Sequence, residues 1–187
     1  QTTPPVVVFV CATRQHHNAP FARHLIERRL LHDSEELVLV DLAVAIAVGR
    51  GLSGWGLFAM EDLAPGDFVC EYLGEAVRAS LADVREGGYG FGDGGTYMFR
   101  VDEGWMVDAT QAGGPARFIN HSCAPNCDTQ AACVGLGGAS QPRVAVVANR
   151  HIAPGEELTY AYNFEEEADA APLACRCGAP TCRGRLN

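Results

Sequence analysis

The chain contains no lysine; its fourteen basic residues are all arginine. Against 23 acidic residues they leave a formal net charge of −9 and a pI near 5.0. Direct binding to a phosphate backbone is therefore not expected, because it draws on clustered Lys and Arg. A cationic peptide suits this charge better. On its own, the missing lysine is accounted for by a coding bias toward Arg and Ala. Long apolar runs are missing too. Residues 37–48 are apolar but short and carry Asp41, so they read as buried strand and predict no membrane span. No basic stretch precedes the apolar residues 6–10, so no signal peptide is expected. The chain opens on Gln1, which points to a piece of a longer protein.

A length of 187 residues suits one domain with a sizeable core, or one domain plus a small annex. No internal repeat or heptad pattern is visible. The N-terminal part is mixed: strand at residues 6–11, a helix over 21–31 from apolar Phe21, Leu25, Ile26 and Leu30, and strand at 36–47. From Gly51 onward short strands alternate with Gly and Pro turns. Strands are predicted at residues 54–59, 68–73, 97–101, 106–107, 144–148 and 157–160. Pro65-Gly66-Asp67 and Pro154-Gly155-Glu156 are turns. A helix is predicted over 77–86, a glycine-rich loop over 87–95, an exposed hairpin tip over 135–141 and a linker over 165–171. The fold class is mainly β with short helices.

Of eight cysteines, Cys11 and Cys70 sit alone in apolar sequence, as buried thiols do. The rest follow residue 122. Cys175, Cys177 and Cys182 offer thiolates at Cys-x-Cys spacing with a third close by, which suits zinc in a reducing compartment. A fourth ligand falls to Cys123 or Cys127. The plainer alternative is free thiols, or one disulfide with a thiol left over.

The densest chemistry lies in Arg117-Phe118-Ile119-Asn120-His121-Ser122-Cys123-Ala124-Pro125-Asn126-Cys127. It sets hydrogen-bonding groups for a polar ligand beside a metal-ligating thiol. Glu157-Leu158-Thr159-Tyr160-Ala161-Tyr162-Asn163-Phe164 follows, and then the cysteine tail. Taken alone, Tyr160 and Tyr162 are alternating strand aromatics, and His121 is a core histidine.

Together with Gly54-Trp55-Gly56-Leu57-Phe58-Ala59, Glu71-Tyr72-Leu73-Gly74-Glu75, Tyr97-Met98-Phe99-Arg100-Val101 and Val107-Asp108-Ala109-Thr110, these segments resemble the SET-domain protein lysine methyltransferases with a post-SET zinc tail. The resemblance covers residues 51–187. It is greatest to the Trithorax/COMPASS branch, which acts on histone H3 lysine-4. The supporting words are Ala82-Asp83-Val84-Arg85-Glu86 and Cys182-Arg183-Gly184-Arg185-Leu186-Asn187. Cys175-Arg176-Cys177-Gly178 also suits the lysine-36 branch.

The resemblance implies a flanking segment at 1–50, a SET domain at 51–165 and a zinc tail at 166–187, with small sheets and a knot-like C-terminal threading. It implies S-adenosylmethionine as methyl donor, held by Ser53, Gly54, Trp55, Gly56, Tyr97, Arg117, Asn120, His121 and Arg176. It implies Tyr162 as the catalytic tyrosine, Tyr72 as a second channel hydroxyl, and Tyr160 as a limit on product size favouring mono- or dimethylation. Structural zinc would be held by Cys123, Cys175, Cys177 and Cys182. The implied partners are the histone H3 tail and COMPASS-type activating subunits, with no membrane, and the implied location is the nucleus. Ala161 stands where the family often has Asp, which removes a hydrogen-bond partner. A catalytically weak peptide-binding scaffold and a purely structural zinc module are the competing readings.

Overall fold

A computed structural model describes residues 7–9, 44–51, 54–89, 95–136, 139–164 and 172–186. The expected helix at 21–31 and linker at 165–171, together with Cys11 and Ser53, lie outside the described residues.

The architecture is mainly β, as expected. Strands β1 (Val7–Phe9), β2 (Ile46–Gly51) and β3 (Gly54–Ala59) form an antiparallel sheet in that order. A second sheet orders β4 (Phe68–Glu71), β10 (Ala139–Ala148) and β9 (Cys127–Leu136). A third orders β5 (Glu75–Arg78), β7 (Trp105–Asp108) and β6 (Met98–Arg100). Two short strands, β8 (Asn120–His121) and β11 (Thr159–Tyr160), pair in parallel. Helix α1 spans Ala79–Tyr89, and a 3-10 turn spans Pro115–Phe118.

The predicted turns form as their sequences require. Gly66 and Gly155 take φ of 90° and 84°, which a residue with a Cβ rarely adopts. Strands β9 and β10 pair as far as Leu136 with Ala139, inside the predicted tip. Pro142 is tolerated in β10 because it lies beyond the end of β4, where the strand has a partner on one side only.

The predicted helix 77–86 begins two residues late. Val77 is buried and pairs with Met106, and the Arg78 guanidinium covers the Trp105 ring at 4.0 Å, so both stay in β5. The helix runs on through Tyr89, whose hydroxyl donates to Asp108 at 2.8 Å.

Ile46, Leu57, Leu63, Val69, Ile119, Val144, Val146, Ile152 and Leu158 are fully buried. Each such side chain contributes about 1.5–3 kcal/mol of burial free energy. They come from the first two sheets, from the Leu63–Ile152 bridge and from the segments flanking β8 and β11. The core thus clamps the parallel pair that carries the candidate site.

Candidate active site and metal centre

Parallel pairing of β8 with β11 sets Asn120 beside Thr159 and His121 beside Tyr160. It brings together the two segments that sequence reading singled out. Asn126, 1% exposed, fixes the junction. Its Nδ2 donates to Glu156 Oε1 (3.1 Å) and the Glu157 carbonyl (2.8 Å), while Oδ1 accepts the Thr159 N–H (2.8 Å). Sequence reading assigned Asn126 no role. Its signal was an Asn between Pro125 and Cys127 inside the dense motif.

Asn120 joins this pair to β3. Its Nδ2 donates to the Trp55 carbonyl at 3.0 Å and to Glu157 Oε1 at 2.7 Å. Both partners only accept, so the amide orientation is fixed with Oδ1 turned away from them. Glu157 was also missed. Its carboxylate lies where a Cβ on Gly51 or Gly56 would collide with it. Glycine at those positions is what lets the carboxylate rest on the strand. Trp55 is half exposed, with the Arg50 guanidinium 4.6 Å from its ring centroid. Gly54 takes φ of 107° with open space around it.

A cleft of about 370 Å³ opens here, lined by Asn120, His121, Tyr162, Ala174, Cys175, Arg176, Cys177 and Leu186. Tail and core therefore share one cavity. Tyr97 and Arg117 are not in that lining. They pair with each other, the guanidinium 5.6 Å from the Tyr97 ring centroid, and Arg117 Nη1 donates to the Ala109 carbonyl at 3.2 Å.

Deeper in, aromatic rings form a continuous series. Tyr72 meets Phe99 at 5.4 Å, Phe99 meets Tyr160 at 6.0 Å, and Tyr160 meets Tyr162 at 5.1 Å between centroids. The Tyr162 hydroxyl donates to the Ile119 carbonyl at 2.9 Å. Burial, then the nearby Tyr97 and Glu157, push the Tyr162 phenol up to about 12. Burial pushes Tyr72 and Tyr160 higher still. All three hydroxyls are neutral at pH 7, so none acts there as a phenolate base.

The imidazole of His121 packs edge-on against Tyr162 at 5.4 Å. Its Nδ1 accepts the Tyr162 backbone N–H at 3.1 Å, and its Nε2 lies 3.4 Å from Cys123 Sγ. Burial, then Arg183, hold its pKa below the ordinary histidine value. Both ring nitrogens face protein atoms, so any ligand contact of His121 falls to its backbone.

The sulfur atoms of Cys123, Cys175, Cys177 and Cys182 lie within 4.8 Å of one another. Cys123 and Cys175 are 3.7 Å apart, against about 3.8 Å for the edge of a tetrahedral zinc–sulfur site. Backbone N–H groups converge on the sulfurs: Cys123 on Cys177, Arg183 on Cys123, and Gly184 on Cys182, each at 3.4 Å. Such donors favour thiolate. The Arg183 N–H holds Cys123 below the ordinary thiol value. Burial pushes Cys177 up, but the N–H groups of Cys123 and Ala179 outweigh it and hold it at about 6. This donor set fits zinc. Cys127, the other ligand candidate, is fully buried at the start of β9, and burial pushes its thiol up to about 12. It is a core thiol, as is Cys70.

The family model for the SET domain matches residues 54–163. Over 135 residues the chain is 53% identical to the H3 lysine-4-specific histone-lysine N-methyltransferase of Schizosaccharomyces pombe, covering 71% of this chain and 14% of that protein. The protein of the same name from Yarrowia lipolytica is 47% identical over 137 residues, 73% of this chain and 11% of its own length. The chain thus spans about a tenth to a seventh of these curated relatives. Among solved structures, KRYPTONITE in complex with mCHG DNA and SAH superposes with a TM-score of 0.62 at 36% identity, over 78% of this chain and 30% of that one. A second KRYPTONITE structure, with mCHH DNA, H3(1-15) peptide and SAH, gives 0.62 at 33% identity over the same shares. No helix among the described residues is long and apolar enough to cross a membrane. The chain belongs to the SET-domain family.

Proposed function

We propose that this chain is the catalytic part of an S-adenosylmethionine-dependent methyltransferase acting on histone H3 lysine-4. The observation that carries the proposal is a junction. Asn120 and His121 line the same cleft as Tyr162, which packs against Tyr160, and as Cys175 and Cys177 of the cysteine cluster. The lysine-4 specificity named for relatives up to 53% identical supports the choice of residue, and the SAH in KRYPTONITE supports the donor. Residues 51–165 are proposed as the SET domain, 166–187 as its zinc tail and 1–50 as a flanking segment. A chromatin substrate implies the nucleus. The histone H3 tail and COMPASS-type activating subunits are the proposed partners. A lysine-free chain of charge −9 attracts the cationic tail and offers no lysine of its own to modify.

S-adenosylmethionine supplies an activated methyl group. Ser53, Gly54, Trp55, Gly56, Tyr97, Arg117, Asn120, His121 and Arg176 are the residues proposed to hold it, with Asn120 Oδ1 as the outward acceptor. Zinc, held by Cys123, Cys175, Cys177 and Cys182, would fasten the tail as the outer wall of the cleft.

Free lysine has a pKa near 10.4, and its amine must be neutral to attack. Tyr72, Phe99, Tyr160 and Tyr162 pack ring against ring, and an amine lodged among them would be desolvated, which lowers an ammonium pKa. Their neutral hydroxyls offer lone pairs to the amine as it gains positive charge, and their ring faces favour the cationic product. Tyr162, fixed by Ile119 and His121, orients that amine. The chain thus supplies alignment and desolvation, with no covalent step of its own.

The test is methyl transfer from radiolabelled donor to an H3 N-terminal peptide, with and without activating subunits. Transfer is expected to the lysine-4 peptide, lost when that lysine is Arg and lost in Tyr162→Phe. Donor binding by calorimetry with no transfer under any condition would leave a peptide-binding scaffold instead.

A further inference from the structure

His121 is 7% exposed, and its ring stands between the metal cluster and the catalytic tyrosine. Nδ1 accepts the backbone N–H of Tyr162 at 3.1 Å. A nitrogen that accepts carries no proton in the neutral ring, so the proton resides on Nε2. Nε2 lies 3.4 Å from Cys123 Sγ, within range for a hydrogen bond to sulfur. The ring therefore donates to a metal-ligand sulfur and accepts from Tyr162 at once.

Building on the proposed function, we infer that His121 is a positioning residue that sets the seat of Tyr162 according to whether the Cys123 sulfur holds metal. A thiolate on a metal is a good acceptor and orients the Nε2–H. Without the metal the sulfur is no longer held in place, and its lone pairs need not face the ring. With the metal gone, the ring loses one of its two anchors and turns more freely, and the Tyr162 N–H loses a fixed acceptor. Tyr162 is also held by its hydroxyl on Ile119 and by ring contacts with His121, Tyr160 and Phe164. The backbone restraint and one ring contact thus pass through one imidazole. Outer partners of this kind affect metal affinity by about 10- to 100-fold in metal sites generally. Here the same partner also reaches the reacting end of the cleft.

Asn and Gln separate the two roles. In His121→Asn the new amide oxygen would stand near the place of Nδ1 and keep the Tyr162 acceptor. In His121→Gln the new amide nitrogen would stand near the place of Nε2 and keep the donor to sulfur. Zinc release from the loaded chain to a chromophoric chelator and the 15N shift of the Tyr162 amide are both read without substrate. His121→Asn is expected to release zinc about tenfold faster than the parent while leaving the Tyr162 amide near its place. His121→Gln is expected to hold zinc at the parent rate, shift the Tyr162 amide, and lower kcat for the H3 peptide more than it raises KM for the donor. Equal effects of both variants on both readouts, or none, would overturn the inference. A variant that fails to fold leaves the parent itself as the test. Stripping zinc from it must shift the Tyr162 amide, and an unmoved resonance sinks the link. Loss of methyl transfer in the parent would instead count against the proposed function, because the zinc and amide readouts do not depend on it.

Discussion

The side-chain amide of Asn120 reaches across 37 residues of sequence to the Glu157 carboxylate at 2.7 Å. With the Trp55 carbonyl as its other acceptor, both amide hydrogens are taken and the oxygen is presented outward. Glu157→Ala removes one acceptor and lets the amide turn. Donor affinity should fall about tenfold, since a hydrogen bond to a charged group contributes about 1.5–3 kcal/mol. Glu157→Gln keeps an acceptor oxygen and should stay within about threefold of the parent. Calorimetric titration with S-adenosylmethionine decides it; an equal loss in both variants would move the effect from amide orientation to charge.

Asn126 holds the neighbouring turn. Its replacement by Ala strands the Glu157 carbonyl and the Thr159 N–H, both now bonded at 2.8 Å. A loss of about 3 kcal/mol is expected from two unpaired, partly buried groups, or about 10 °C in Tm for a chain of this size. Differential scanning calorimetry of the zinc-loaded protein reads this directly. A shift under about 2 °C would mean that water replaces the side chain at little cost.

Asp108 carries the acid dependence of the third sheet. Burial alone would raise its pKa. The Thr110 N–H, the Tyr89 hydroxyl and Arg85 outweigh burial and hold the carboxyl below the usual range. A carboxyl with a depressed folded pKa stabilises the fold at pH values above its unfolded pKa of about 3.9, and that stabilisation is lost as pH falls through the folded value. Asp108→Asn should therefore melt lower than the parent near neutral pH, and the gap should narrow below about pH 4. A gap that stays constant in thermal melts down to about pH 3 would count against this reading.

Much of this is legible in the sequence, and the exceptions have physical causes. Strand β3 matched its predicted bounds because Gly54 through Ala59 is a compact run between glycine signals. Strand β9 was not expected: Cys127 to Leu136 has no clear alternation and few β-branched residues, and pairing with β10 makes it a strand. Helix α1 was displaced because cross-strand packing of Val77 and Arg78 overrode a helical pattern. Motif spacing picked out Cys123, Asn120 and Tyr162 but could not say how the side chains divide their bonds. That the His121 ring faces Cys123 and Tyr162 follows only from the register of β8 on β11. Glu157 was passed over because a Glu following a Pro-Gly turn reads as surface until Gly51 and Gly56 are seen beneath it.

Tyr160 sets the last prediction. Its ring is 7% exposed and 5.1 Å from that of Tyr162, between Tyr162 and Phe99. Its hydroxyl is neutral because burial raises its pKa, and under the proposed function it takes up space beside the reacting amine. A methylated amine needs that space for each further methyl group. Tyr160→Phe removes one oxygen and leaves the ring packing against Phe99 and Tyr162. The rate of the later methylations should rise about tenfold relative to the first, a difference of about 1.4 kcal/mol in barrier. Mass spectrometry of an H3 peptide should find mono- and dimethyl product from the parent and trimethyl product from the variant. Mainly trimethyl product from the parent would show that the Tyr160 hydroxyl does not limit the space, and the role would pass to another neighbour of the amine.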